Sequence, residues 1–246
     1  MLYQILKSKK IWLVSLFLFF STCSTRYIEK EKSQNLVVLL HGILDQPYTM
    51  LKLENGLSDQ GYSVLSINYP TIKTDIDSIT NLLYGHINPL ENKYKKIHFV
   101  THSMGGLVIR AYLNKFPCKR YGKLVMIAPP NKGAILADRF DEFILYKWIL
   151  GKTGQKLGKD KDDYWNMFPV PEIPFGIISG GMKNKKGVNP LIPGDDDGIV
   201  GVEETQIKGA QDSIIIKGLH SSILWKDRTL NQVKQFIEQG EFNHKN

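Results

Sequence analysis

Ser103 stands in the stretch Thr101-His102-Ser103-Met104-Gly105-Gly106, between an apolar run, Ile97-His98-Phe99-Val100, and a helical pattern from Leu107 to Leu113. A strand that turns sharply into a helix around a serine lifts the hydroxyl above the sheet edge. It also aims the first free helical N–H groups at the same space. That is the geometry of a nucleophile presented to a carbonyl. Gly105 is read as leaving room for the turn, because a side chain there would crowd the incoming strand. The usual pattern is Gly-x-Ser-x-Gly, and Thr101 takes the place of its first glycine.

A serine hydroxyl is a weak nucleophile, so it needs a base, and the base needs an orienting acid. After such a turn the acid and then the histidine follow along the chain, each beyond a strand at the same sheet edge. Of six histidines, His41, His86 and His98 come before the serine, and His102 is set aside because alternation points it away from Ser103. His244 lies in the tail. His220 remains: it follows the strand predicted at 213–217 and precedes the last helix. For the acid, Pro193-Gly194-Asp195-Asp196-Asp197-Gly198-Ile199-Val200 follows the strand predicted at 175–179. Adjacent carboxylates in a loop do not converge on a metal as alternating ones do. Asp197 is chosen as the acid, with Asp196 as its alternative. The oxyanion donors are assigned to the backbone N–H groups of Met104, directly after the nucleophile, and Ile43, in the loop after the first strand. No metal site and no cofactor is expected.

The elements that must hold these residues alternate. Short apolar strands at 36–40, 62–67, 97–100, 123–128, 175–179 and 213–216 are separated by helical patterns near 50–57, 76–83, 107–113 and 223–237. That alternation predicts an α/β architecture with a mostly parallel central sheet, right-handed crossovers and helices on both faces. Ligands then bind beyond the carboxyl ends of the strands. Residues 132–173 interrupt the pattern with an apolar helical stretch around 135–149, read as a small lid insertion or a packing helix.

The chain has 246 residues, 42% of them hydrophobic and 23% charged, which suits one substantial core and excludes disorder or a multi-span membrane protein. At the N-terminus Lys7, Lys9 and Lys10 precede an unbroken apolar run from Ile11 to Phe20, then Ser21-Thr22-Cys23. This reads as a signal peptide over 1–23 with Cys23 as a candidate lipidation site. The apolar run is short for a bilayer span. Residues 24–34 are read as a polar tether and 35–240 as the domain. The expected location is exported: a lipoprotein anchored to a membrane on the extracytoplasmic side, or else a periplasmic or secreted protein. With Cys23 lipidated, Cys118 has no disulfide partner and is read as structural. The net charge of +8 fits a basic surface near an anionic membrane as well as it fits scattered solvated lysines. No basic–aromatic cluster points to nucleic acid.

Together these segments resemble the α/β-hydrolase superfamily, and within it the bacterial lipase- and esterase-like hydrolases. The matching stretches are Leu39-Leu40-His41-Gly42, Ile67-Asn68-Tyr69-Pro70, His98 to Gly106, Met126 to Gly133, and Asp196-Asp197-Gly198-Ile199-Val200. They extend from about residue 35 to the last helix. The resemblance implies Ser103, Asp197 and His220 as a catalytic triad, with no substrate fixed, because one fold hosts many chemistries. The expectation is a serine hydrolase of carboxylic esters, acting on acyl lipids or hydrophobic acyl esters through an acyl-enzyme. Its rivals are an acyltransferase or thioesterase on the same triad, and a non-catalytic lipoprotein that keeps the fold as a binding module.

Overall fold

Strands that are apolar on both faces must be covered on both, and here they are. The computed structural model describes residues 24–31, 33–71, 74–133 and 167–245. The segment 1–23 read as a signal peptide, with Cys23, and the apolar stretch 135–149 read as a lid or packing helix lie outside the described residues. Among the described residues no helix is long and apolar enough to cross a membrane.

Seven strands form one sheet: β1 (Arg26–Ile28), β2 (Asn35–Leu40), β3 (Ser63–Ile67), β4 (Lys96–His102), β5 (Tyr121–Ile127), β6 (Phe175–Gly181) and β7 (Asp212–Lys217). Their order is β1-β3-β2-β4-β5-β6-β7, parallel throughout except for β1. The period-2 alternation of a strand splits β2 between two cores. Leu36, Val38 and Leu40 face a cluster shared with α2 (Ile76–Ile87) and α3 (Gly105–Lys115). Val37 and Leu39 face a second cluster, with α1 (Leu51–Asp59) and the C-terminal helix. The sheet is thus a layer between two helical layers, and its carboxyl edge is left for function.

Two elements depart from the sequence reading. Residues 24–34 are not only a tether, since β1 pairs antiparallel with β3 at the sheet edge. Polar composition hid it, because an edge strand is held by backbone pairing and the one charge turned inward is matched. Arg26 donates from Nε and Nη2 to the Glu54 carboxylate of α1, at 2.9 and 2.8 Å. The last helix is also not continuous from 223. A 3-10 turn, Ser222–Trp225, ends at an extended Lys226; α4 (Val202–Thr205) is a short extra helix, and α5 begins only at Asp227 and runs to Gln239. The break leaves Trp225 half exposed.

His98 illustrates how a buried polar group is used. The β4–β5 register slips between Ile97 and Phe99. At that irregularity the Lys123 N–H donates to His98 Nδ1 at 3.1 Å. The bond requires an unprotonated Nδ1, and burial, with Lys123 and Lys96 nearby, pushes the His98 pKa down to about 4. In the unfolded chain the ring protonates near pH 6.5. Acidification from about 6.5 towards 4 therefore adds protons to the unfolded state first and erodes stability. The Tm should fall across that window in wild type. In His98→Asn, whose Oδ1 can accept the same N–H without titrating, the fall should be smaller.

Candidate active site

The turn after β4 is strained in the way a nucleophile elbow requires. Ser103 adopts φ 52°, outside the usual range for a residue with a side chain. Its N–H still donates to the Ile127 carbonyl at 2.8 Å, so the ladder runs to the last possible residue before α3 starts at Gly105. A Cβ on Gly105 would lie 2.8 Å from the Leu40 carbonyl oxygen and 2.9 Å from that of His41. The crowding comes from the end of the neighbouring strand β2, not from the strand that enters the turn. Thr101 is accommodated inside β4, buried, with its hydroxyl lacking a partner among the described residues. Such an orphan costs about 1–3 kcal/mol.

The loops after β6 and β7 deliver the other two residues. His220 Nδ1 lies 2.7 Å from Asp197 Oδ2, and the His220 N–H donates to the Asp197 carbonyl at 3.0 Å. The remaining Asp197 oxygen accepts from the Ile199 and Val200 N–H groups at 3.0 and 2.8 Å. The carboxylate is 1% exposed and fully satisfied, so it holds one imidazole tautomer: Nδ1–H towards Asp197, with Nε2 as the basic nitrogen.

The three consecutive aspartates do three different jobs. Asp195 caps the end of β6 by accepting from the Met182 and Lys183 N–H groups, both at 2.7 Å. Asp196, fully buried, accepts from Val188, Asn189 and Gly198 and pins the loop 187–198. Asp197 alone meets the histidine. Among the described residues no group of three or more His, Cys, Asp or Glu side chains could hold a metal ion.

Opposite the serine, Gly42 brings the loop after β2 into contact. A Cβ there would fall 3.1 Å from Ser103 Cβ, 3.0 Å from His102 Nδ1 and 2.9 Å from an Asp45 carboxylate oxygen. Ile43 follows directly. The N–H groups of Ile43 and Met104 have no acceptor among the described residues, which leaves both available to an oxyanion.

Two residues of this site escape the sequence reading. His102, set aside there, lies with its ring centroid 4.7 Å from that of His220, and its Nε2 is 3.2 Å from the His220 carbonyl oxygen. Its Nδ1 is 3.1 Å from Asp45 Oδ2. An Asp–His pair thus stands behind the first and ties the end of β4 to the segment that carries His220. Burial lowers the His102 pKa, and Asp45 opposes it. Burial works against the Asp45 carboxylate too, but its bond to His102 and the nearby His41 and His220 bring its pKa down. The available signal was a histidine inside a buried strand, which must find a partner, and an acid three residues past Gly42. His41 stacks on Tyr69 at 4.4 Å, and the Tyr69 hydroxyl donates to the His41 carbonyl. Cys118 is half-buried, and burial pushes its thiol up, which fits a structural role.

The aspartates should separate by experiment. Asp197→Asn should keep the fold and lose most of the turnover, on the order of 10⁴-fold, because the amide favours the wrong tautomer. Asp196→Asn should instead lower the Tm, since its carboxylate serves the loop. Thermal melts beside ester hydrolysis assays distinguish the two. Inactivation by Asp196→Asn alone, without a change in Tm, would reverse the assignment.

Residues 30–149 match the family described as "Putative serine esterase (DUF676)". No curated protein sequence matches. Among solved structures, the mature Bacillus licheniformis lipase BlEst2 is similar, with 13% identity and a TM-score of 0.62 over 89% of this chain and 98% of that one. A Listeria innocua protein, the lin2722 gene product, aligns at 16% identity and TM-score 0.57 over 87% and 100%. A metagenomic carboxyl esterase, MGS0156, gives 16% and 0.56 over 78% and 66%. At these identities the likeness is one of fold, and it is the fold that the sequence resemblance implied. The strained serine turn at the carboxyl edge of a mostly parallel sheet, with the serine esterase match across that turn, gives the chain the fold of the α/β-hydrolases.

Proposed function

We propose that the protein is a serine hydrolase of carboxylic esters, with acyl lipids or hydrophobic acyl esters as substrates. The observation that carries this reading is the buried 2.7 Å pairing of His220 with Asp197, braced against the residue next to Ser103. His220 Nε2 takes the proton of the Ser103 hydroxyl as its oxygen attacks the acyl carbonyl. The negative charge that develops on the carbonyl oxygen is met by the N–H groups of Met104 and Ile43. The imidazolium, stabilised by Asp197, gives its proton to the departing alcohol, leaving an acyl-Ser103 ester. Water, deprotonated by His220, then attacks that ester and releases the acid.

The preference for apolar acyl groups is supported by what the catalytic loops expose. Leu44 is 59% exposed beside Ile43, Ile199 is 50% exposed beside the Asp197 turn, and Leu219 is 50% exposed beside His220. Solvated leucine and isoleucine on three loops of one site favour contact with an apolar ligand. The N-terminal segment supports export and attachment to a membrane through Cys23, where an interfacial substrate is at hand.

A fluorophosphonate probe should label the folded protein, and mass spectrometry should place the adduct on Ser103. Ser103→Ala and His220→Ala should each lower kcat by up to about 10⁶-fold, with little further loss in the double variant. A folded protein that the probe leaves unlabelled would favour a binding role. Hydrolysis confined to short, water-soluble esters, with no gain at lipid interfaces, would remove the lipid preference.

A further inference from the structure

Four cations surround one cavity at the carboxyl edge of the sheet. Lys183 follows β6, Lys217 ends β7, and Lys226 and Arg228 flank the start of α5; with Trp225 they line a space of about 560 Å³. Two features set them there. Lys183 is held at φ 59° while its N–H donates to Asp195 Oδ2. Lys226 is the extended residue that breaks the last helix.

This arrangement lacks a counter-charge. Asp227, the carboxylate in the cavity wall, is engaged by Lys52 at 2.7 Å, and Asp195 is engaged by backbone N–H groups. Among the described residues the three lysine ammonium groups have no carboxylate partner, and the buried Arg228 Nε has no acceptor. Lys226 and Arg228 also sit at the amino end of a 13-residue helix, where the helix dipole disfavours cations and favours an anion. Like charges around a concavity, at the positive end of a dipole, call for a multiply hydrogen-bonding anion such as a phosphate.

The surroundings indicate what carries that phosphate. Trp225 is 50% exposed at the cavity wall, where an indole suits an interface between water and lipid. Exposed Leu219 lies on the same loop, and a Cβ on Gly198, next to exposed Ile199, would be 3.9 Å from Leu219 Cδ2. Free phosphate has no use for this apolar rim. The cavity and His220 share the loop 217–226.

We propose that the cavity binds the phosphate headgroup of an anionic phospholipid and seats the His220 loop against a lipid surface. As a substrate-side subsite it rests on the hydrolase reading above, but the binding can be measured apart from it.

The test compares the full chain on vesicles of phosphatidylcholine alone and with phosphatidylglycerol added. The comparison isolates the charge-dependent increment from any attachment through the apolar N-terminus. Phosphatidylglycerol should tighten binding and move tryptophan emission to shorter wavelength, and the shift should vanish in Trp225→Phe. Lys183→Gln/Lys217→Gln/Lys226→Gln should weaken the increment roughly hundredfold, since each cation near an anionic surface contributes about a fivefold factor. It should leave hydrolysis of a soluble short-chain ester unchanged. An undiminished increment in the triple variant, or a Trp225 signal that answers inorganic phosphate but not phosphatidylglycerol, would overturn the proposal. Ser103→Ala keeps the two readings apart: it should abolish hydrolysis and bind vesicles as wild type does.

Discussion

The hydrogen bond between Asp197 and His220 joins two loops that leave adjacent strands, β6 and β7, and brings His220 against the end of β4, two strands from β6 and three from β7. Asp197 follows β6 and His220 follows β7, while Ser103 follows β4. Only parallel pairing delivers all three chain ends to the same edge. Closing the set then requires the loop after β7 to fold back across the sheet, and its backbone marks the path. The His220 N–H reaches the Asp197 carbonyl, and the His220 carbonyl reaches the His102 ring at the end of β4.

Burial is what gives those contacts their strength, and also what makes them demanding. Charge in a low-dielectric site is costly unless every lone pair is met. Asp197 meets that demand with two backbone N–H groups and the imidazole, and Asp196 with three backbone N–H groups. Asp45 and His102 answer each other behind the site, in space that Gly42 leaves open. The acid-rich turn is therefore a set of separate anchors, each of which holds a different stretch of backbone at the edge. The same accounting makes the cation-lined cavity beside β7 stand out, because there four cations line one space whose single carboxylate, Asp227, is paired with Lys52.

Much of this was legible in the sequence, for reasons that are local. The apolar strands announce burial on both faces. The serine turn is a short-range steric motif, and chain order singles out His220. What sets Asp197 apart from Asp196 is the turn after it, where the Ile199 and Val200 N–H groups bind the Asp197 carboxylate; of the two side chains only Val200 is buried in the core, and Ile199 is 50% exposed. The strand β1 was not legible, because three residues held by backbone pairing and an Arg26–Glu54 contact leave no hydrophobic period.

What the sequence by itself determined is the alternation of elements and the types of side chain that the strand ends carry, since both follow from side-chain chemistry and nearest-neighbour geometry. What the tertiary structure decided is which groups come together: His102 against His220, Asp45 against His102, β2 rather than β4 crowding Gly105, and Lys183 lining one cavity with Arg228. Those pairings join residues tens of positions apart or more. No local pattern encodes them, because they are fixed by the twist and order of the sheet and by loops that must satisfy their buried polar groups wherever the strands leave them.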